Sequence, residues 1–170
     1  WYRLAEWGRS PYEIAPLILS RVRRGTLLAR CRDMGLDDRE IGGLLTASSA
    51  RIRQFHRNEP VAREGEQVFF LNIVISGSVK GEMTDESGKV IKIEDILPPR
   101  PLAPAFLFGQ QNRYPVQITA NEQATLLAIP VDEFLKMMQD SEQVLRNFIH
   151  ILSSRGQFLS NKIKLLSFST

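Results

Sequence analysis

Near its C-terminus the chain reads SEQVLRNFIHILSSRGQFLSNKIKLLSF, residues 141–168. Leucine recurs every seven residues, at Leu145, Leu152, Leu159 and Leu166, and a second row of Val144, Ile151, Phe158 and Leu165 runs beside it. This spacing predicts a helix of about 26 residues, near 40 Å long. Ser141, followed by an acid and Gln143, offers its start. Two adjacent apolar rows make a face wider than a bare coiled-coil seam needs. One row can then cover the rest of the chain. The other, expected to hold Leu145, Phe148, Leu152, Arg155, Leu159, Ile163 and Leu166, can face a second copy of the same helix. If both rows packed on the chain's own core, the β-rich part before them would have to cover a helix too long for it. A homodimer is therefore expected. Arg155 and Gly156 put a charge and a glycine into the seam, which weakens pairing there and marks a place for a switch.

Ahead of that helix the period is two. RIRQFHR alternates from Arg51, with Ile52 and Phe55 interrupting strict order, and REGEQ places Gly65 in a turn. QVFFLNIVISGSVKGEM is a long β-rich run broken at Gly77, and MTDESGKVIKI turns the chain back into a strand over Val90–Ile93. PVQITANEQATLLAIP predicts strands over Val116–Ala120 and Ala124–Ile129. Pro130 ends the β part, and VDEFLKMMQD predicts a short helix capped by Asp132. Short strands with Gly and Pro punctuation argue for a closed antiparallel barrel or roll.

Residues 1–35 show no sustained periodicity beyond a short helix around Ile14–Val22. They read as an arm, a leading helix of unclear role or a cloning remnant. GLDDREIGGLL then offers Asp37 as an N-cap and Ile41, Leu44 and Leu45 on one helical face. Residues 36–140 form the expected roll with flanking helices, and 141–170 the dimerisation helix. The 22 basic residues exceed the 19 acidic ones by three. That balance is too mild to mark a nucleic-acid groove, although Arg21, Arg23, Arg24, Arg30, Arg32, Arg51, Arg53 and Arg57 cluster in the first third. The single cysteine, Cys31, has no internal partner and fits a reducing, cytoplasmic setting. The longest apolar candidate, Ile14–Leu19, contains Pro16 and falls far short of the roughly 18–20 residues of a membrane span.

The order of leading helix, β-roll, small helix and long terminal helix resembles the sensor part of the Crp/Fnr family of bacterial transcription regulators. GLDDREIGGLL is similar to the family's leading helix, RNEPVAREGE to its turn ending in G-[DE], and ISGSVK to its strand-Gly-strand corner. DESGKVIKI matches its hairpin, ILPPRPLAPAFLF falls where it places a phosphate-binding cassette, and SNKIKLLSF matches the end of its C-helix. The likeness covers about residues 36–169. It implies an α+β fold: an antiparallel double-stranded β-helix (the cyclic-nucleotide-binding-like β-roll) with short flanking helices and a long C-terminal dimerisation helix. It also implies a regulator, not an enzyme, that touches DNA only through a following helix-turn-helix domain lying beyond Thr170.

In the family's cyclic-nucleotide binders the cassette supplies a glycine, an acid, an arginine and a serine. Laid on this chain, those positions fall on Ala103, Pro104, Tyr114 and Pro115, with Arg113 one place early. Each proline also deletes a backbone donor. Leu159 and Ser160 fall where a purine base would be touched, and Leu159 is apolar there. The resemblance thus implies a degenerate cassette, poorly built for cyclic AMP. What remains is an apolar lining of Leu102, Ala103, Pro104, Ala105, Phe106, Pro115 and Val116 facing Phe148, Ile151 and Leu152. Three readings stay open: a ligand-free roll serving as dimer scaffold, a cyclic-nucleotide-binding regulatory module, or a pocket for an apolar planar cofactor, haem above all. The LAPAFLF pattern looks closest to regulators of hybrid-cluster-protein and nitrosative-stress genes (HcpR-like), which favours haem and nitric oxide sensing.

Haem needs an axial ligand. His150, on the long helix, is the tidier candidate, although its heptad phase sets it beside the apolar rows; His56 lies in the first strands. Met137 and Met138 fit a core better than a metal. Two distant histidines cannot assemble a cupin-type metal site, and one cysteine cannot hold an iron–sulfur cluster. No nucleophile elbow, P-loop or zinc spacing appears.

Overall fold

The computed structural model describes residues 49–85 and 87–167, with side chains as far as Lys164. The expectations for the arm, the helix around Asp37, the arginines before Arg51, Cys31, and the side chains of Leu165 and Leu166 lie outside the described residues. Among the described residues, seven strands form two antiparallel sheets. Strands β1 (Arg51–Phe55), β3 (Phe70–Ser76) and β7 (Ala124–Pro130) make one sheet, ordered β1-β7-β3. Strands β2 (Pro60–Ala62), β4 (Val79–Thr84), β5 (Val90–Ile96) and β6 (Gln117–Ala120) make the other, ordered β2-β6-β4-β5. Two helices follow directly, α1 (Val131–Asp140) and α2 (Glu142–Ser167). This is the α+β roll with a long terminal helix that the sequence leads one to expect.

Strand β3, FLNIVIS, is buried at five consecutive positions, and β7 is nearly so. Alternation disappears because α1 packs on the face of both strands that does not meet the opposite sheet. Val74 and Leu126 are paired in register and fully buried at the centre. The corner between β3 and β4 turns on Gly77, at φ 71. A Cβ there would lie 2.2 Å from the Gln123 carbonyl oxygen, so only glycine lets the two turns approach.

Several boundaries differ from the sequence expectation. Strand β2 is additional, since a three-residue strand opening on a proline carries almost no periodic signal. Strand β5 runs three residues beyond Ile93. Asp132 is not the cap of α1. Pro130 takes that position without a side-chain bond, and Asp132 sits with Glu133 in the first turn, where acids complement the helix dipole. Met137 and Met138 are buried in the core.

Helix α2 has the predicted length of 26 residues. Ser141 starts it: its carbonyl accepts from Leu145 N–H, and its hydroxyl from Val144 N–H at 3.5 Å. The inner face is Val144, Phe148, Ile151 and Arg155. Phe148 stacks edge-on against Phe134 of α1 at 5.1 Å and against Phe108 at 5.9 Å. Arg155 forms an ion pair with Glu94 on β5. Both residues therefore face the chain's own roll and not the outer seam expected of them. The outer row is Leu145, Ile149, Leu152, Gly156, Leu159 and Ile163, with alternating steps of four and three. Ile149, Leu159 and Ile163 are each more than half exposed.

Candidate functional site

The segment from Arg100 to Leu102 lies along the free edge of β3. Val74 N–H donates to the Arg100 carbonyl at 3.1 Å, and Leu102 N–H to the Asn72 carbonyl at 2.8 Å. This edge pairing fixes where the cassette begins. Ala103 follows in the left-handed conformation, φ 43 and ψ 45, and opens a single 3-10 turn over Pro104–Phe106. A glycine would take that backbone without strain, whereas alanine bears a Cβ penalty of about 1–2 kcal/mol. The chain thus keeps a glycine-type turn without the glycine, and Pro104 at its first position has no N–H to offer an anion.

The positions where the sequence comparison with the family expects an arginine and a serine hold Tyr114 and Pro115. Tyr114 is buried, and its hydroxyl accepts from Asn72 Nδ2 at 2.9 Å. Burial raises the phenol's pKa above its ordinary value, an effect the Asn72 bond partly offsets, so Tyr114 is neutral at physiological pH. Arg113 turns outward, its Nη1 donating to the Gly65 carbonyl at 2.8 Å. Tyr114 lines a separate cavity of about 440 Å³ with Arg51, Arg53, Val61 and Glu66, away from α2.

The cleft between the roll and α2 is elsewhere in composition than the sequence suggests. A cavity of about 520 Å³ is lined by Glu94, Asp95, Pro99, Arg100, Pro101, Pro104, His150, Ile151, Ser154, Arg155, Phe158 and Lys162. Of the apolar lining read from the sequence, only Pro104 and Ile151 are there, joined by His150. Leu102 is fully buried in the core, with Phe106, Val116 and Leu152 packed at its margin and Ala103 beside them. Ala105 and Pro115 are exposed. Phe148 fills the aromatic stack below the cleft. Leu159 and Ser160 lie on the outer side of α2, and Ser160 borders a shallow groove with Ser153, Gly156, Gln157 and Asn161. The physical reason is helical geometry. A step of one residue rotates a side chain by about 100°, enough to carry Leu159 out of the cleft and to leave Leu152 half-buried at the core margin beside it.

Residues missed in the sequence are the charged ones: Glu94, Asp95, Arg100, Arg155 as a cleft residue, and Lys162. Two signals pointed to them. PPRP directly precedes the cassette, and His150, Ser154, Phe158 and Lys162 form an every-fourth stripe. His150 Nε2 is 3.3 Å from Ser154 Oγ. Lys162 Nζ sits over the Phe158 ring at 5.5 Å. Asp95 lies below its ordinary pKa, held first by the Lys92 ammonium and then by the Asn121 amide. His56 is exposed on the β1–β2 connection, remote from this cleft; the Glu59 carboxylate accepts its backbone N–H. Among the described residues no three His, Cys, Asp or Glu side chains group as a metal site. Nor is any described helix long and apolar enough to cross a membrane.

These two sheets and the cleft beside a long helix define a small-ligand regulatory fold. The cyclic nucleotide-binding domain family matches residues 52–141, more than half of the chain, and the chain belongs to that family. No curated protein sequence matches it. Among solved structures it is similar to a transcriptional regulator from Thermotoga maritima, at 27% identity over 69% of this chain and 91% of that one, with a TM-score of 0.66. The sensor domain of the transcriptional regulator DNR from Pseudomonas aeruginosa is 20% identical, over 89% and 95% of the two chains, with a TM-score of 0.70. The Thermus thermophilus catabolite activator protein is 22% identical over 79% of this chain, which spans only 62% of that regulator; the TM-score is 0.69. These three neighbours are transcriptional regulators of the Crp/Fnr type.

Proposed function

We propose that this chain is the effector-sensing, homodimerising part of a Crp/Fnr-type transcription regulator, with DNA contact made by a separate domain. The observation that carries it is the outer row of α2. Its leucines take d positions and Ile149 and Ile163 take a positions, the arrangement that favours a two-stranded parallel coiled coil. A ligand in the cleft would bias α2 against the roll and so shift the paired helices. This is a binding and signalling role, not catalysis, in a cytoplasmic setting. The oligomeric state and the variants described at the end of the Discussion test it.

The effector is not cyclic AMP in this reading. Ala103, Pro104, Tyr114 and Pro115 occupy the four cassette positions, and Tyr114 is committed to Asn72. A cleft of about 520 Å³ walled by prolines, Ile151 and Phe158 supports a bound ligand over an empty scaffold. Haem fits this donor set. His150 offers an imidazole on the wall, Pro99, Pro101, Pro104 and Phe158 offer apolar faces, and Arg100 and Lys162 offer cations. When bound there, haem would supply an iron able to take nitric oxide, in keeping with a nitrosative-stress (HcpR-like) regulator. A haemin titration followed at the Soret band tests this. A shifted band that weakens in His150→Ala supports it, and no shift in the wild type removes haem.

A further inference from the structure

We propose that the cleft ligand carries an acidic group, carboxylate, sulfonate or phosphate, seated by Arg100 and Lys162. The proposal rests on reading this cleft as the effector site, and it follows from the charges that line it. Two acids and three cations face the cavity. Both acids are taken: the Glu94 carboxylate by Arg155, and Asp95 by Lys92 at 2.7 Å and by Asn121 at 3.0 Å. That leaves Arg100 and Lys162, neither with an ion-pair partner among the described residues. Arg100 is anchored through its backbone to Val74 and Leu97, so its position is set by the edge of β3 while its guanidinium stays exposed. Lys162 is placed by its ring contact with Phe158. The two cations come from opposite walls, one from the turn before the cassette and one from α2. A ligand bridging them ties helix to roll without a hydrogen bond from any of the four cassette positions. The seat is thus displaced from the emptied cassette to its outer rim.

The experiment uses two fluorescent probes with the same aromatic body, 8-anilinonaphthalene-1-sulfonate and the uncharged N-phenyl-1-naphthylamine, titrated into the whole chain. The expected result is saturable binding with the sulfonate preferred. Arg100→Gln and Lys162→Gln should each weaken the sulfonate about tenfold, the weight of one charge-assisted hydrogen bond, and leave the uncharged probe unchanged. Ser154→Trp, an exposed position on the cleft wall, should block both probes while circular dichroism stays native. Sulfonate affinity unaltered in both glutamine variants overturns the anion seat yet leaves the cleft standing. If neither probe binds, or Ser154→Trp blocks neither, the cleft reading falls and the seat with it.

Discussion

Arg155 on α2 and Glu94 on β5 form an ion pair across the mouth of the cleft, each side chain about one third exposed. The pair joins the edge strand of the roll to the helix at the residue before Gly156. It is the one ion pair between α2 and the roll among the described residues. The pair therefore ties α2 to the roll beside the cleft. A double-mutant cycle with Glu94→Gln and Arg155→Gln in urea unfolding should give a coupling of about 0.5–1 kcal/mol, the range of a partly screened pair. A coupling near zero would show that the pair does not hold helix and roll together.

Gly156 occupies an a position of the outer row, and a Cβ built there meets nothing within 4 Å. Gly156→Ala should stabilise the helix by about 1 kcal/mol. Gly156→Ile should in addition fill the seam and lower the dimer dissociation constant in sedimentation equilibrium. Weaker association in Gly156→Ile would place the glycine at a close helix crossing instead.

Ala103 holds a left-handed backbone at φ 43. Ala103→Gly should raise stability by about 1 kcal/mol in denaturant unfolding, because the Cβ penalty exceeds the entropy that glycine adds to the unfolded chain. The same variant should bind no cyclic AMP in calorimetry, since Pro104 and Tyr114 remain. Heat released on adding cyclic AMP would contradict the account of the cassette.

The β4–β5 hairpin should loosen in acid. One oxygen of Asp85 accepts from the Ser87 hydroxyl at 2.6 Å and from the Ser87 and Lys89 N–H groups at 2.9 Å each. These bonds, the Ser87 hydroxyl first, hold its pKa below the ordinary 3.8. A depressed carboxyl stabilises the fold above its unfolded value and loses that contribution as pH falls through the folded one. Protection of the hairpin amides should therefore drop as pH falls below the ordinary carboxyl value of 3.8, and Asp85→Asn should flatten that dependence. An unaltered profile in Asp85→Asn would show that the turn does not titrate.

Much of this architecture is legible in the chain because its signals are local. Gly77, the alternation from Arg51 and the seven-residue leucine spacing each report on neighbours along the sequence. The facing of α2 is not local. Two apolar rows one residue apart satisfy the same heptad, and only the stacking of Phe148 between Phe134 and Phe108 selects the inner one. Once that choice is made, Ile149 and Gly156 enter the outer seam, and Phe148 and Arg155 leave it. The cleft was hidden for a related reason. Arg100 and Lys162 are 62 positions apart in the sequence and become neighbours of one cavity only through the pairing of residues 100–102 with β3.

The central claim, that the outer row of α2 pairs two chains, is tested most directly by light scattering on the wild type and on Ile149→Glu. Ile149 is exposed in the single chain, so the substitution should leave the roll folded, with native circular dichroism. The account predicts a wild-type particle of twice the chain mass at tens of micromolar and a folded monomer for Ile149→Glu. A monomeric wild type, or an Ile149→Glu variant that remains a dimer, would contradict it.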